Sequence, residues 1–197
     1  MGWFISEGCI TEGICNRIGI AQREINNVEH SYRNEIESLL TRMKIQYKKK
    51  YGELTIAGKP IVDLMKNFCG IKSKDRCIPQ WIFELDYKHL KFLYDALMKG
   101  DGSKQKWCSY ASISPQLRKD FMRLCFHLGY NAIDNLKDFV HIRRKKNQNG
   151  IYQRNIKKSL FDGDTYCITV RDNETILAGR NGKFQFIGQC RYTPVDG

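Results

Sequence analysis

The chain has 197 residues, 33 of them Lys or Arg against 21 Asp or Glu, for a formal net charge of +12, and 42% are hydrophobic. That is enough apolar material for one or two packed domains, which excludes a disordered tail. The apolar runs fall well short of the ~20 residues that cross a bilayer, and Met1-Gly2-Trp3-Phe4-Ile5 is too brief for a signal-peptide core. The expectation is a soluble protein, cytoplasmic or nucleoid-associated and not secreted, with no membrane partner and a charge that suits a polyanion.

In chain order, the pattern predicts a short helix that ends in Glu7 and Gly8, then the strand Ile18-Gly19-Ile20-Ala21-Gln22. Val28, Tyr32, Ile36 and Leu40 stand four apart behind Asn26 and Asn27, which predicts an amphipathic helix over 25–43. A basic hairpin follows, pairing 44–50 with 53–57 around Tyr51-Gly52. A helix over 59–68 stops at Gly70, and a helix over 86–99 carries Leu90, Leu93 and Leu97 on one face before Gly100-Asp101-Gly102. Ser114-Pro115 is a good cap and first-turn pair for a helix through Leu117, Phe121, Leu124, Cys125 and Leu128, stopping at Gly129. A second basic hairpin is expected to pair 139–146 with 151–158 around Asn149-Gly150.

The charges concentrate in those hairpins. Arg42, Lys44, Lys48, Lys49 and Lys50 lead into the first turn, and 141–158 holds Arg143, Arg144, Lys145, Lys146, Arg154, Lys157 and Lys158 with no acid. One such cluster reads as a solvated surface; two in matching settings read as a binding feature. The eight cysteines contain no Cys-x-x-Cys pair and the four histidines lie away from paired thiols. They are read as reduced thiols, mostly core packing, rather than a zinc site or a disulfide framework.

The order of helix, acid, glycine, polar strand region, amphipathic helix and basic hairpin occurs over residues 1–57 and again over 86–158, which we read as an internal duplication. At its two openings, Phe92-Leu93-Tyr94-Asp95-Ala96-Leu97-Met98-Lys99-Gly100-Asp101-Gly102-Ser103 resembles the LAGLIDADG motif of homing endonucleases, and Gly2-Trp3-Phe4-Ile5-Ser6-Glu7-Gly8-Cys9 resembles its partner copy. Taken singly, each acid reads as the end of a surface helix before a capping glycine; the pairing, 94 residues apart, is what carries the likeness. Arg76-Cys77-Ile78-Pro79-Gln80-Trp81-Ile82 is similar to the segment before the second motif in intein-encoded members.

The resemblance implies an α+β protein with two pseudo-symmetric αββαββα halves, here 1–85 and 86–160, followed by a short β-rich appendage at 161–197. It implies a site-specific endonuclease that makes double-strand breaks in a long asymmetric DNA target, which it would read as a monomer. Two helices packed face to face need small side chains, which Ser6, Gly8, Ala96, Gly100 and Gly102 would supply. Glu7 and Asp101 would meet at the helix C-termini, where the dipole disfavours two negative charges unless a cation is present. Two or more Mg²⁺ ions shared by these carboxylates, with Ser6 and Gly100 beside them, would deliver the hydrolytic water.

Arg76 stands where the family often has a lysine near the scissile phosphate, Lys74 is a neighbouring substitute, and Gln22 resembles a polar position that orients water. Arginine's high pKa suits phosphate binding better than proton transfer. DNA contacts are expected from Arg17, Gln22, Arg23, Lys48 and Lys50 on one half-site, and from Lys104, Lys106, Tyr110, Arg143, Lys145, Gln153 and Arg154 on the other.

The tail, with 163–170 and 176–190, resembles the C-terminal end of an intein splicing domain, Gln189 standing at the cyclising amide and Cys190 at the first residue after it. Glu174 and Gly188 stand where histidines are usual, and the N-terminal splicing half is not in this chain. Self-splicing in cis is therefore not expected, and an N-terminal intein half is a candidate partner. A cleavage-free DNA- or RNA-binding relic and a split-intein C-terminal partner are the alternatives.

Overall fold

The computed structural model of the chain describes residues 1–13, 15–22, 32–103, 108–135, 137–143, 157–160, 162–164, 168–170, 175–180 and 183–188. Its first part runs α1 (Gly2–Glu7), β1 (Gly8–Thr11), β2 (Arg17–Ala21), α2 (Arg33–Arg42), β3 (Lys48–Lys50), β4 (Glu53–Ala57) and α3 (Lys59–Cys69). Two single helical turns, Ser73–Asp75 and Gln80–Glu84, lead to α4 (Tyr87–Gly100), β5 (Gly102–Ser103), β6 (Ser109–Ala111), α5 (Pro115–His127), β7 (Asn131–Asp134) and β8 (Phe139–Arg143). A terminal hairpin, β9 (Thr175–Arg180) and β10 (Lys183–Gly188), completes the described chain. No helix among the described residues is long and apolar enough to cross a membrane.

Local chemistry explains the boundaries. The Asp86 carboxylate accepts from the His89 N–H to start α4, the Ser114 hydroxyl accepts from the Leu117 N–H to start α5, and Pro115 fits the first turn. Gly70 ends α3 at φ +82. There a Cβ would lie 2.2 Å from the Asp75 carbonyl oxygen, so no other residue fits without moving backbone.

Two antiparallel four-stranded sheets have the same topology, β1-β2-β4-β3 and β5-β6-β8-β7. The registers superpose. Gly8 pairs with Ile20 and Ile20 with Leu54; Gly102 pairs with Tyr110 and Tyr110 with Val140. Counting outward from those anchors makes Gln22 equivalent to Ser112, and Gly52 to Asp138. The equivalence holds at the hydrogen-bond level: Gln22 N–H donates to the Gly52 carbonyl and Ser112 N–H to the Asp138 carbonyl, both at 2.9 Å. Gly52 and Asp138 also share a left-handed backbone, φ +73 and +64.

This register corrects the second basic hairpin. Phe139–Arg143 pairs with Asn131–Asp134 on one side and with Ser109–Ala111 on the other, so both its edges are already occupied and it has none left for 151–158. Residues 144–156 lie outside the described residues. In the first half, the expected helix over 25–43 is described only as Arg33–Arg42, with 23–31 outside the description.

The core is continuous across both halves. Trp3, Phe4 and Ile5 of α1 are buried together with Leu90, Leu93, Leu97 and Met98 of α4 and the inward residues of both sheets, Ile18, Ile20, Leu54, Ile56, Val140 and Ile142. Tyr110 stacks on Phe121 at 4.1 Å and Phe121 on Tyr94 at 5.7 Å, locking the second sheet to α5 and α4. Burial of each such side chain contributes about 1.5–3 kcal/mol. The terminal hairpin rests on α5 through Phe126, whose ring meets Phe184 at 6.1 Å and Phe186 at 5.3 Å. Residues 168–170, in the appendage expected to be β-rich, form no strand.

Candidate active site

The site sits where α1 and α4 touch. A Cβ on Gly100 would lie 2.5 Å from Ser6 Cβ, and one on Gly2 would lie 2.7 Å from Ala96 Cβ, so at both places a hydrogen is all that fits. The helix backbones therefore meet almost directly, with Glu7 and Asp101 at their C-terminal ends. Gly8 and Gly102 have a different task from the interhelical one expected. A Cβ there would strike the carbonyl oxygens of Phe4 (2.3 Å) and Met98 (2.4 Å), each one turn back in the same helix. These two glycines let the chain leave each helix at once and become β1 and β5.

The arrangement makes the two acids mutually costly. Burial, followed by the charge of Glu7, pushes the Asp101 carboxyl up to about 7, and burial raises Glu7 above the ordinary carboxylate range. The Ser6 hydroxyl is near enough to oppose the Asp101 shift, yet neither Ser6 Oγ nor the buried Tyr110 hydroxyl makes a hydrogen bond of ordinary geometry among the described residues. Asp101 also raises the Tyr110 phenol, after burial. No described lysine or arginine pairs with either carboxylate, and no group of three or more His, Cys, Asp or Glu that would hold a metal occurs among the described residues. Two converging carboxylates and an orphaned hydroxyl fit a hard divalent cation that takes its other oxygens from water or phosphate.

Asp101 lines a cleft of about 440 Å³ with Ser6, Ser73, Ser112 and Asp138. Arg76 lines it too, but its guanidinium is committed. It is 3% exposed, donates to the Gly70 carbonyl at 2.5 Å and the Gly8 carbonyl at 2.7 Å, and stacks on Phe4 at 4.1 Å. Lys74 is exposed on the turn Ser73–Asp75. Gln22 lies just past β2, and its side-chain carbonyl accepts from the Tyr32 N–H at 3.4 Å, at the start of α2.

Strand registers assign the faces. Arg17, Lys48 and Lys50 fall on the side of the first sheet away from α2, whereas Lys49 turns toward α2 and pairs with Glu37 at 2.6 Å. In the second sheet Arg143 and His141 point away from the core, and Val140 and Ile142 point into it. Tyr110 corrects an expectation: it is fully buried and its ring is stacked on Phe121, so it presents nothing to DNA. Arg23, Lys104, Lys106, Lys145, Gln153, Arg154, Gln189 and Cys190 lie outside the described residues.

Ser112, Asp138 and Glu53 escaped the sequence reading. The two hairpins differ in length, Gly8 pairing with Ile20 twelve residues on and Gly102 with Tyr110 only eight residues on, so counting from each motif does not align Gln22 with Ser112; only the register does.

No protein-family model matches the chain, and no curated protein matches it. Among solved structures it is similar to I-DmoI in complex with DNA and Ca, at 17% identity and a TM-score of 0.51, covering 73% of this chain and 80% of that one. It also aligns with I-DmoI in complex with DNA and Mn (16% identity, TM-score 0.49, 72% and 85% covered). Mesophilic variants of the homing endonuclease I-DmoI give 15% identity and a TM-score of 0.49, with 73% and 85% covered. At these identities the likeness is one of fold: the chain has the mixed α+β architecture, with antiparallel sheets, of the LAGLIDADG homing endonuclease I-DmoI.

Proposed function

We propose that this chain is a DNA endonuclease that makes metal-dependent double-strand breaks in a long asymmetric target. The observation that carries the reading is the pair Glu7 and Asp101. One acid comes from each of two halves with the same sheet topology, and burial together with the charge of Glu7 raises the Asp101 carboxyl to about 7. One carboxylate per half suits one strand per half. The divergent outward residues of the two sheets suit two different half-sites, which a monomer would bridge.

In this reading Glu7 and Asp101 would hold the metal, with Ser6 and Gly100 beside them. A divalent ion held there, Mg²⁺ by this proposal, would supply an activated water and charge compensation for the phosphate. Arg17, Lys48, Lys50 and Arg143 position the duplex by its phosphates. Arg76 fixes the turn between Gly70 and Gly8, holding the end of α1 in place. Lys74 and Gln22 are assigned by this proposal to act on water or phosphate, although neither lines the cleft. Division into 1–85, 86–160 and 161–197 belongs to the same proposal. So does the intein-derived origin of the tail, which rests on the sequence likeness of 163–190. One observation favours a binding-only relic: the guanidinium at the family's basic position is already bound to protein carbonyls.

The test is selection of cleaved molecules from a randomised duplex library with Mg²⁺, using Ca²⁺ and the variants Glu7→Gln and Asp101→Asn as controls. Cleavage at one long motif should vanish in each variant while binding stays within severalfold. Equal cutting by the variants refutes the assignment, and binding without cutting by the unaltered protein selects the relic.

A further inference from the structure

The outward face of the first sheet carries the cations Arg17, Lys48 and Lys50 and, among its strand residues, a single acid, Glu53. Glu53 stands directly across from Lys50 on one side and Ala21 on the other. Its side chain runs diagonally over β2 and lays Oε1 on Gly19, where a Cβ would sit 1.7 Å from that oxygen and 2.8 Å from Cys9 Sγ. Cys9, which pairs with Gly19 in β1, donates its thiol to the same oxygen at 3.7 Å. No lysine or arginine forms an ion pair with Glu53 among the described residues, although Lys50 is its cross-strand neighbour. The equivalent position in the second sheet is Phe139, 45% exposed, so the two halves offer opposite chemistry there.

A carboxylate without an ion pair among the described residues, on a face that meets DNA, is repelled by every phosphate, and it is favourable there only where it accepts a hydrogen bond. Major-groove donors are the amino groups of cytosine and adenine. Adenine sets the N7 acceptor beside its amino group, and a carboxylate, which has only acceptors, is repelled by N7. Cytosine presents the donor alone. Resting on the reading of this face as the DNA-binding surface, we propose that Glu53 reads a cytosine in the half-site bound by the first sheet. Gly19 is the positioning residue that lets the carboxylate lie flat on the strand.

The experiment uses the full chain with Ca²⁺ and compares base preferences selected from one randomised duplex library by the unaltered protein, Glu53→Gln and Gly19→Ala. The unaltered protein should prefer cytosine by about tenfold or more at one position of one half-site. Glu53→Gln should relax that position alone. Gly19→Ala keeps the acid but pushes its carboxylate aside, and should relax the same position. If both variants select the unaltered motif, or if affinity changes equally for all sequences, the proposal is overturned. Failure of any form to select a motif overturns the DNA-binding reading itself, a result distinct from unchanged selection.

Discussion

Replacing Asp101 by Asn should stabilise the protein in a pH-dependent way. Asp101 titrates near 7 in the fold against 3.8 for the free group. Between those values the folded chain holds a proton that the unfolded chain has released, so stability falls as pH rises from about 4 to 7 and the full cost is present above 7. At about 1.36 kcal/mol per pH unit the gap sets a ceiling near ~4 kcal/mol. Solvent screening of a side chain that is not wholly enclosed brings this to about 2 kcal/mol. Asparagine keeps the shape and removes the charge. At about 2–4 °C per kcal/mol for a chain of this size, Asp101→Asn should match the unaltered protein at pH 4 and melt about 4–8 °C higher at pH 8. The assay is thermal unfolding by circular dichroism with EDTA at both pH values. Added Ca²⁺ should narrow the gap at pH 8 by stabilising only the form with both acids. An equal difference at pH 4 and pH 8, or a lower melting temperature for the variant at pH 8, refutes the argument that burial beside Glu7 makes the Asp101 charge costly.

Arg76→Lys trades a fork on two carbonyls and a ring for one ammonium, and should cost about 2 kcal/mol of stability in denaturant unfolding. Unchanged stability would show that the fork is not structural. Lys48→Ala and Lys50→Ala should each flatten the log–log salt dependence of DNA affinity by about one. Lys49→Ala, on the α2 side of the same strand, should leave it unchanged, and equal effects from all three would break the face assignment.

The helices were legible because their signals are local. Asp86, Ser114, Pro115 and Gly70 each act on a neighbour within a turn, so the ends of α3, α4 and α5 could be read from spacing. The second hairpin was not, because Asn149-Gly150 is a strong turn signal while the pairing of Phe139–Arg143 is decided by tertiary register: Val140 and Ile142 must face the core beside Tyr110. Tyr110 misled for the same reason, since a polar aromatic near basic residues reads as a nucleic-acid contact until Phe121 is seen stacked against it. The pairing of Glu7 with Asp101 came from the motif resemblance. What the sequence hid was Arg76's occupation by Gly70 and Gly8, because neither carbonyl is distinguishable by residue type.

The touching pairs of the central seam, Gly2 with Ala96 and Ser6 with Gly100, join positions that correspond to one another in the two motif helices. Each pair couples a larger group with a smaller one. A dimer of two first halves would set Ser6 against Ser6, where a single added Cβ already falls 2.5 Å from its neighbour. A dimer of two second halves would set glycine against glycine and leave a gap. The seam has thus become a lock and key within one molecule: neither half can rebuild it with a copy of itself, and a drift in one helix obliges a reply in the other.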